Sequence, residues 1–250
     1  MRTRALALLV VAAFIGLWQL VASLPGVDNL TLASPVETVR ALRHDRSLLL
    51  AEAGVTLVEV LLGLVVSVTA ALACALAMHL WRPLRDAVYP LLVASQAIPL
   101  VVLAPIFVLA FDYGIGPKLA IVALICFFPI TVNLLDGLRS VDPELLKLMR
   151  TLGAGRLRTL IRVELPWALP YFFSGLRVAA SVAVIGAVFG EWAGADRGLG
   201  RLVLLANNQL ETARVYAGVV ILAAMAVGLF AGVALLERLA CPWRRRGATQ

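Results

Sequence analysis

Residues 53–80 read AGVTLVEVLLGLVVSVTAALACALAMHL, a run whose only carboxylate is Glu59 and whose only imidazole is His79. About 20 mostly apolar residues suffice for a helix to cross the hydrocarbon layer of a bilayer. Comparable runs recur at 5–24, 87–111, 118–136, 168–193 and 215–238. No Ser/Gly-rich or Pro-rich linker divides them, and no internal repeat is visible. The expected fold is therefore all-α: a polytopic helical bundle of about six transmembrane helices, with residues 1–250 as a single membrane domain.

Composition agrees. The chain is 62% hydrophobic and only 15% charged, with a mean hydropathy of +0.95, whereas soluble domains run near half apolar and a quarter charged. The formal net charge of +7 would suit a nucleic-acid binder, but the basic residues sit at the edges of apolar runs. That placement is the signature of topology and excludes nucleic acid as the expected partner. With both termini placed in the cytoplasm, fourteen Lys and Arg fall in inside loops against seven outside, and Arg177 is left within a span. The bias favours inside termini, with Arg2, Arg4, Arg244, Arg245 and Arg246 among the inside set.

The first run, 5–24, follows Arg2 and Arg4 and ends near Val21-Ala22-Ser23, so a cleaved signal and a retained anchor are both open readings. Its length and Trp18 favour the anchor. Between the first two runs, Ser34-Pro35 with Glu37 reads as a helix start, which predicts an external surface helix over 34–50. Pro83 ends the second span. The segment 112–118, which includes Gly114, Gly116, Pro117 and Lys118, reads as a tight external turn. Cys74, Cys126 and Cys241 have no metal-ligand spacing and are assigned to packing. His44 and His79 stand alone, without the partners a site needs.

The longest inside loop, 139–167, is amphipathic. Asp142-Pro143-Glu144 supplies a cap, a first-turn proline and an acid at the helix start. Leu145, Leu148, Met149 and Leu152 then share one helical face, with Lys147 and Arg150 off it. Gly153 fits a helix stop. Leu157, Leu160, Ile161 and Leu165, interleaved with Arg156, Arg158 and Arg162, predict a second short helix closed by Pro166. Such a knob suits a groove in a partner protein, and on pattern alone it equally suits an anionic lipid surface.

Gly153-Ala154 followed by Val163-Glu164-Leu165-Pro166, with Leu165 twelve positions after Gly153, resembles the cytoplasmic signature loop of permease subunits of binding-protein-dependent ABC importers. Ser95-Gln96-Ala97-Ile98-Pro99, Ala104-Pro105-Ile106-Phe107, Phe127-Phe128-Pro129-Ile130, Ser174-Gly175-Leu176-Arg177 and Gly198-Leu199-Gly200 are similar to the sulfonate, taurine and nitrate branch and its thiamine-pyrimidine-precursor relatives. The likeness spans about residues 34–240. One departure is Lys147-Leu148-Met149, where the family signature has Glu-Ala-Ala.

The resemblance implies a type I importer permease fold in the bacterial plasma (inner) membrane. It also implies a second copy of this chain, two ABC ATPase subunits that bind ATP and Mg, and an external substrate-binding protein. The chain itself is expected to be no enzyme and to bind no cofactor or metal; its sequence has no Gly-x-x-x-x-Gly-Lys-Ser/Thr phosphate loop. The coupling loop is then carried by Glu144, Lys147, Leu148, Met149, Arg150, Gly153, Ala154, Leu165 and Pro166. The substrate expected from the resemblance is a small polar solute of the pyrimidine thiamine-precursor type, the alternative being a sulfonate, taurine, nitrate or similar anion.

Candidate pathway residues are Gln96, Pro99, Asn133, Glu59 and Glu191. Ionisable groups in spans are costly and turn inward, so Glu59, Arg177 and Glu191 read either as pathway groups or, lying near span ends, as snorkelling residues or structural pairs. Gln96 and Asn133 read either as cavity-lining or as interhelical hydrogen-bonding residues. Gly194, Gly198 and Gly200 mark an external loop that is a gate or a plain connector. A stand-alone secondary transporter would show repeated halves and broken helices, and a membrane enzyme would show paired catalytic groups.

Overall fold

The computed structural model describes residues 2–25, 28 and 30–245, without the side chains of residues 2–5, 7, 8, 244 and 245. The charge-balance residues Arg2, Arg4, Arg244, Arg245 and Arg246 therefore have side chains outside the described set. In chain order the helices are α1 (Arg2–Ala22), α2 (Pro35–His44), α3 (Arg46–Leu80), α4 (Arg82–Ser95) and α5 (Leu100–Phe111). They continue with α6 (Ile115–Arg139), α7 (Pro143–Thr151), α8 (Arg156–Thr159), a π turn (Leu160–Glu164), α9 (Leu165–Trp192), α10 (Leu199–Asn208) and α11 (Thr212–Ala240). No strand occurs among the described residues. Four helical units, α3, α6, Arg156–Trp192 and α11, are long and apolar enough to cross a membrane. The bent α4 and α5 pair is either a broken span or a re-entrant loop, and α1 contributes only a shorter apolar stretch, Leu9–Ala22. The described residues therefore hold four helices of spanning length, or five spans with the bent pair, against the six expected.

The centre of the bundle is the packing of α6 on α9 and α3. Val60, Leu64 and Ala71 of α3 meet Val122, Cys126 and Ile130 of α6, and Ala179, Ala183, Val184 and Ala187 of α9. Small side chains dominate the α9 contribution because packing and close backbone approach, rather than hydrophobic burial, hold helices together in lipid. Gly175 shows how close: a Cβ there would lie 2.5 Å from the Pro129 carbonyl oxygen and 2.9 Å from Asn133 Cβ. The obstacle is backbone, which cannot swing away. Gly175→Ala is expected to cost about 1–3 kcal/mol as an overpacked core, read as a lower unfolding midpoint of the purified protein.

Four boundaries differ from the sequence expectation. The run 87–111 is not one straight span: α4 and α5 meet at 106° around Gln96-Ala97-Ile98-Pro99. Pro99 biases Ile98 away from helical backbone and cannot donate to it, so the helix restarts with Pro99 as its N-cap. The surface helix predicted over 34–50 stops at His44. Ser34 and Glu37 form the full capping box at its start, but residues 46–50 already belong to α3, and Asp45, at the break, accepts from Arg214 Nε at 2.7 Å.

The turn predicted over 112–118 is over by Gly114, whose φ of +145° requires glycine. Pro117 falls in the first turn of α6, where its missing N–H is not needed, so Lys118 is a buried helical residue and not part of an outside loop. Pro166 does not close a helix; it lies inside the continuous Arg156–Trp192 unit. The π turn directly before it widens the backbone where a proline ring would otherwise clash.

Candidate functional site

Two places concentrate unusual chemistry, at opposite ends of the bundle. The first is the protruding loop. Asp142 Oδ1 accepts from Glu144 N at 2.8 Å, Pro143 occupies the first helical position, and Lys147 Nζ bonds Glu144 Oε1 at 2.7 Å. The helix ends in a Schellman motif: Ala154 N donates to Met149 O and Gly153 N to Arg150 O, both at 2.9 Å. Gly153 has φ +74°, the left-handed conformation this cap needs.

Little of α7 is packed against other helices, and none of its residues is buried. Leu148 is 53% exposed and Leu152 70% exposed; Leu145 and Met149 are half-buried. Leu157 and Ile161 are exposed as well. The loop therefore holds out an apolar ridge fringed by Lys147, Arg150, Arg156 and Arg158. Behind it, His79 Nε2 and Glu164 Oε2 are 2.8 Å apart, which fastens the end of α3 to the π turn. His79 is not the isolated histidine expected from sequence. Its partner lies 85 positions away and no local signal announces it.

The second place is a buried polar network at the far end. Thr56 Oγ1 of α3 donates to Glu191 Oε1 of α9 at 2.6 Å and accepts from Leu199 N at 2.8 Å. Arg201 N donates to Glu191 Oε2 at 3.1 Å. Glu52 takes Gly198 N at 2.6 Å and Arg197 Nη2 at 3.0 Å. Lys118 Nζ of α6 bonds Glu59 Oε1 of α3 at 2.6 Å. Glu191 is fully buried, and Glu59 and Lys118 nearly so.

Charges are brought out of water only with partners like these, and here the partners are helix ends and loop amides. The network clamps segment 193–198 and the start of α10 onto α3, α6 and α9. The glycines allow it: at Gly198 (φ +128°) a Cβ would collide with the Glu191 carboxylate, and at Gly200 it would lie 2.7 Å from Glu191 Oε2. Thr56→Val removes one donor and one acceptor from this buried set. It is expected to cost about 1–3 kcal/mol, measured by thermal unfolding in detergent.

Glu59, Glu191, Gly198 and Gly200 are thus brought together, with Gly194 (φ +154°) in the same loop. Gln96 and Pro99 are not part of this group and lie exposed on the α4–α5 bend. Asn133 Nδ2 bonds Pro129 O within its own helix at 2.8 Å. Arg177 pairs with Glu237 of α11 at 3.4 Å and lies over the Phe230 ring. Thr56 and α10 were missed by sequence reasoning. The spacing of Leu199, Val203 and Ala206, all buried, is the helical signal that could have revealed α10.

A bundle with four helices long and apolar enough to cross a membrane, carrying one protruding helical loop, is a polytopic membrane protein by class. Residues 63–240 match the family model described as binding-protein-dependent transport system inner membrane component. The formylaminopyrimidine transport permease protein ThiX of Halalkalibacterium halodurans is 40% identical over 231 residues, 92% of each chain. The taurine transport system permease protein TauC of Escherichia coli is 31% identical over 75% of this chain and 68% of its own length. The crystal structure of an amino acid ABC transporter with histidines shares the fold, with a TM-score of 0.60 at 18% identity, covering 81% of this chain and 96% of the other. The chain belongs to the family of binding-protein-dependent transport system inner membrane components.

Proposed function

We propose that this chain is one half of a homodimeric channel, driven by two ABC ATPase subunits that dock on the α7 loop and supplied by an external binding protein. The observation that carries the reading is a set of exposed apolar side chains around the loop, Leu148 and Leu152 at α7, which hardly touches its own bundle, with Leu157 of α8 and Ile161 of the π turn beyond Gly153. Exposed apolar side chains on a well-capped, loosely packed helix are suited to a groove in another protein. Glu144, Lys147, Met149, Arg150, Gly153 and Ala154 shape and fringe that ridge, and Leu165 and Pro166 connect it to α9. The Glu144–Lys147 pair gives Lys147, at the first position of the departed Glu-Ala-Ala triplet, a structural role within the loop.

In this reading the α7 end faces the cytoplasm, both termini lie on that side, and the membrane is the bacterial plasma membrane. ATP and Mg belong to the ATPase subunits. Closure of those subunits biases the bundle between outward and inward states through their differential contact with the loop. Gln96 and Pro99, at an exposed break in a span, are proposed to border the pathway, since non-helical backbone at membrane depth belongs against a cavity. Glu59 and Glu191 are proposed as structural anchors of the far-end loop and not as pathway groups.

The substrate is proposed to be a pyrimidine thiamine precursor, on the 40% identity over nearly the whole chain to a formylaminopyrimidine permease. A sulfonate-type anion is the second reading, supported by the taurine relative. Proteoliposomes test both levels. Uptake of a labelled formylaminopyrimidine is expected only when the chain, its ATPase and its binding protein are all present with ATP. Uptake by the chain alone would overturn the reading in favour of a secondary carrier, and uptake of taurine in place of the pyrimidine would select the second substrate class.

A further inference from the structure

The α7 end of the bundle holds a cavity of about 540 Å³, walled by the ends of α3 and α6, the start of α4 and the inward side of α7. Arg82, Arg85, Arg139, Arg150 and Arg156 line it, and Glu164 is the only acidic lining residue. Glu164 is already bonded to His79. Arg85 is held by Asp86 at 2.7 Å, and Arg156 Nη2 donates to the Leu80 carbonyl at 2.9 Å. Arg82, Arg139 and Arg150 are left without a hydrogen-bond or ion-pair partner among the described residues.

Three guanidiniums from three different elements therefore face one concave space, and Arg keeps its charge under all ordinary conditions. Glu164, the one carboxylate lining the space, is bonded to His79, and none is paired with these three arginines among the described residues, so their mutual repulsion is only partly relieved. The complementary guest is a compact oxyanion with several acceptor oxygens, which Arg forks grip bidentately. The depth is also informative. His79 and Arg139 sit in the last turns of α3 and α6, two helices long and apolar enough to span a bilayer, and basic pockets between the ends of such helices suit lipid phosphates. The cavity is distinct from the apolar ridge: Leu146 and Arg150, one helical turn apart, line it, whereas Leu148 and Leu152 do not.

We infer that this cavity is a binding site for a phosphate group, carried either by an anionic lipid headgroup or by free phosphate, and gripped by Arg82, Arg139 and Arg150. The site depends neither on what the channel carries nor on which ATPase drives it.

The test uses the full chain, purified and delipidated in neutral detergent. Native mass spectrometry counts bound phosphatidylglycerol against phosphatidylcholine, and phosphorus NMR titration follows inorganic phosphate. Phosphatidylglycerol is expected to bind preferentially. Each arginine removed should weaken it about fivefold, and R82A/R139A/R150A about a hundredfold. Arg158→Ala, which does not line the cavity, should leave binding unchanged. Arg150→Ala alone, on loosely packed α7, keeps the test decisive if the triple variant fails to fold.

Saturable binding of inorganic phosphate, lost in the same variants, would support the site and identify the free anion as a source. Binding of phosphatidylglycerol without inorganic phosphate would support it and identify the lipid. Absence of both, or lipid binding that Arg150→Ala leaves unchanged, would overturn it. None of these results bears on uptake by the assembled transporter, so the transport reading stands or falls separately.

Discussion

Lys118→Met is expected to destabilise the purified protein by about 3–5 kcal/mol, because it leaves Glu59 buried and stripped of its cation. For a chain of this length that corresponds to a fall in unfolding midpoint of about 10 °C. The double replacement Lys118→Met with Glu59→Leu should recover most of the loss, since an apolar pair of similar volume avoids the desolvation of both charges. Recovery in the double variant separates an ion pair that holds α3 to α6 from two independently useful groups. If the pair served the pathway instead, the double variant would be stable but inactive in uptake, and Lys118→Met alone would barely shift the midpoint.

The second large effect is on assembly. Leu148→Asp with Leu152→Asp places two carboxylates on side chains that are 53% and 70% exposed, so the bundle itself has nothing to lose. The monomeric fold and its unfolding midpoint should be unchanged. Docking onto an apolar groove should suffer heavily: with roughly 1–2 kcal/mol forfeited per anchor, the affinity for the ATPase falls by about a hundredfold. Copurified ATPase and ATP-dependent uptake report it together. A variant that assembled and transported normally would leave the ridge without a role.

What the sequence shows about this molecule divides along chain distance. The α7 loop was readable because each of its signals is local: Asp142, Pro143 and Glu144 start it, and Gly153 ends it with the left-handed turn observed. The all-helical membrane class was readable because twenty apolar residues in a row have few other fates, whereas the run 87–111 proved bent and 5–24 holds only the shorter apolar stretch Leu9–Ala22 among the described residues. The far-end clamp was not, since Thr56 and Glu191 are 135 positions apart and Lys118 and Glu59 are 59 apart; nothing in either neighbourhood names the other.

Prolines misled in three places for one reason, which is that a proline's effect depends on the turn around it. Pro99 breaks an apolar run that composition alone shows as continuous. Pro117 opens a helix where a turn was expected, because a first-turn proline needs no N–H. Pro166 continues a helix where a stop was expected, because a π turn precedes it. Gly198 and Gly200 read in sequence as part of a gate or a plain connector, and in the fold they provide clearance for the Glu191 carboxylate.

The central claim, that the α7 ridge is where an external motor grips the bundle, is tested most directly by a photo-crosslinking residue at Leu152 in native membranes. The account predicts one dominant adduct, of the mass of this chain plus an ABC ATPase subunit, lost when Leu148 is replaced by Asp. Crosslinks confined to lipid, with no ATPase captured from membranes that support uptake, would contradict it.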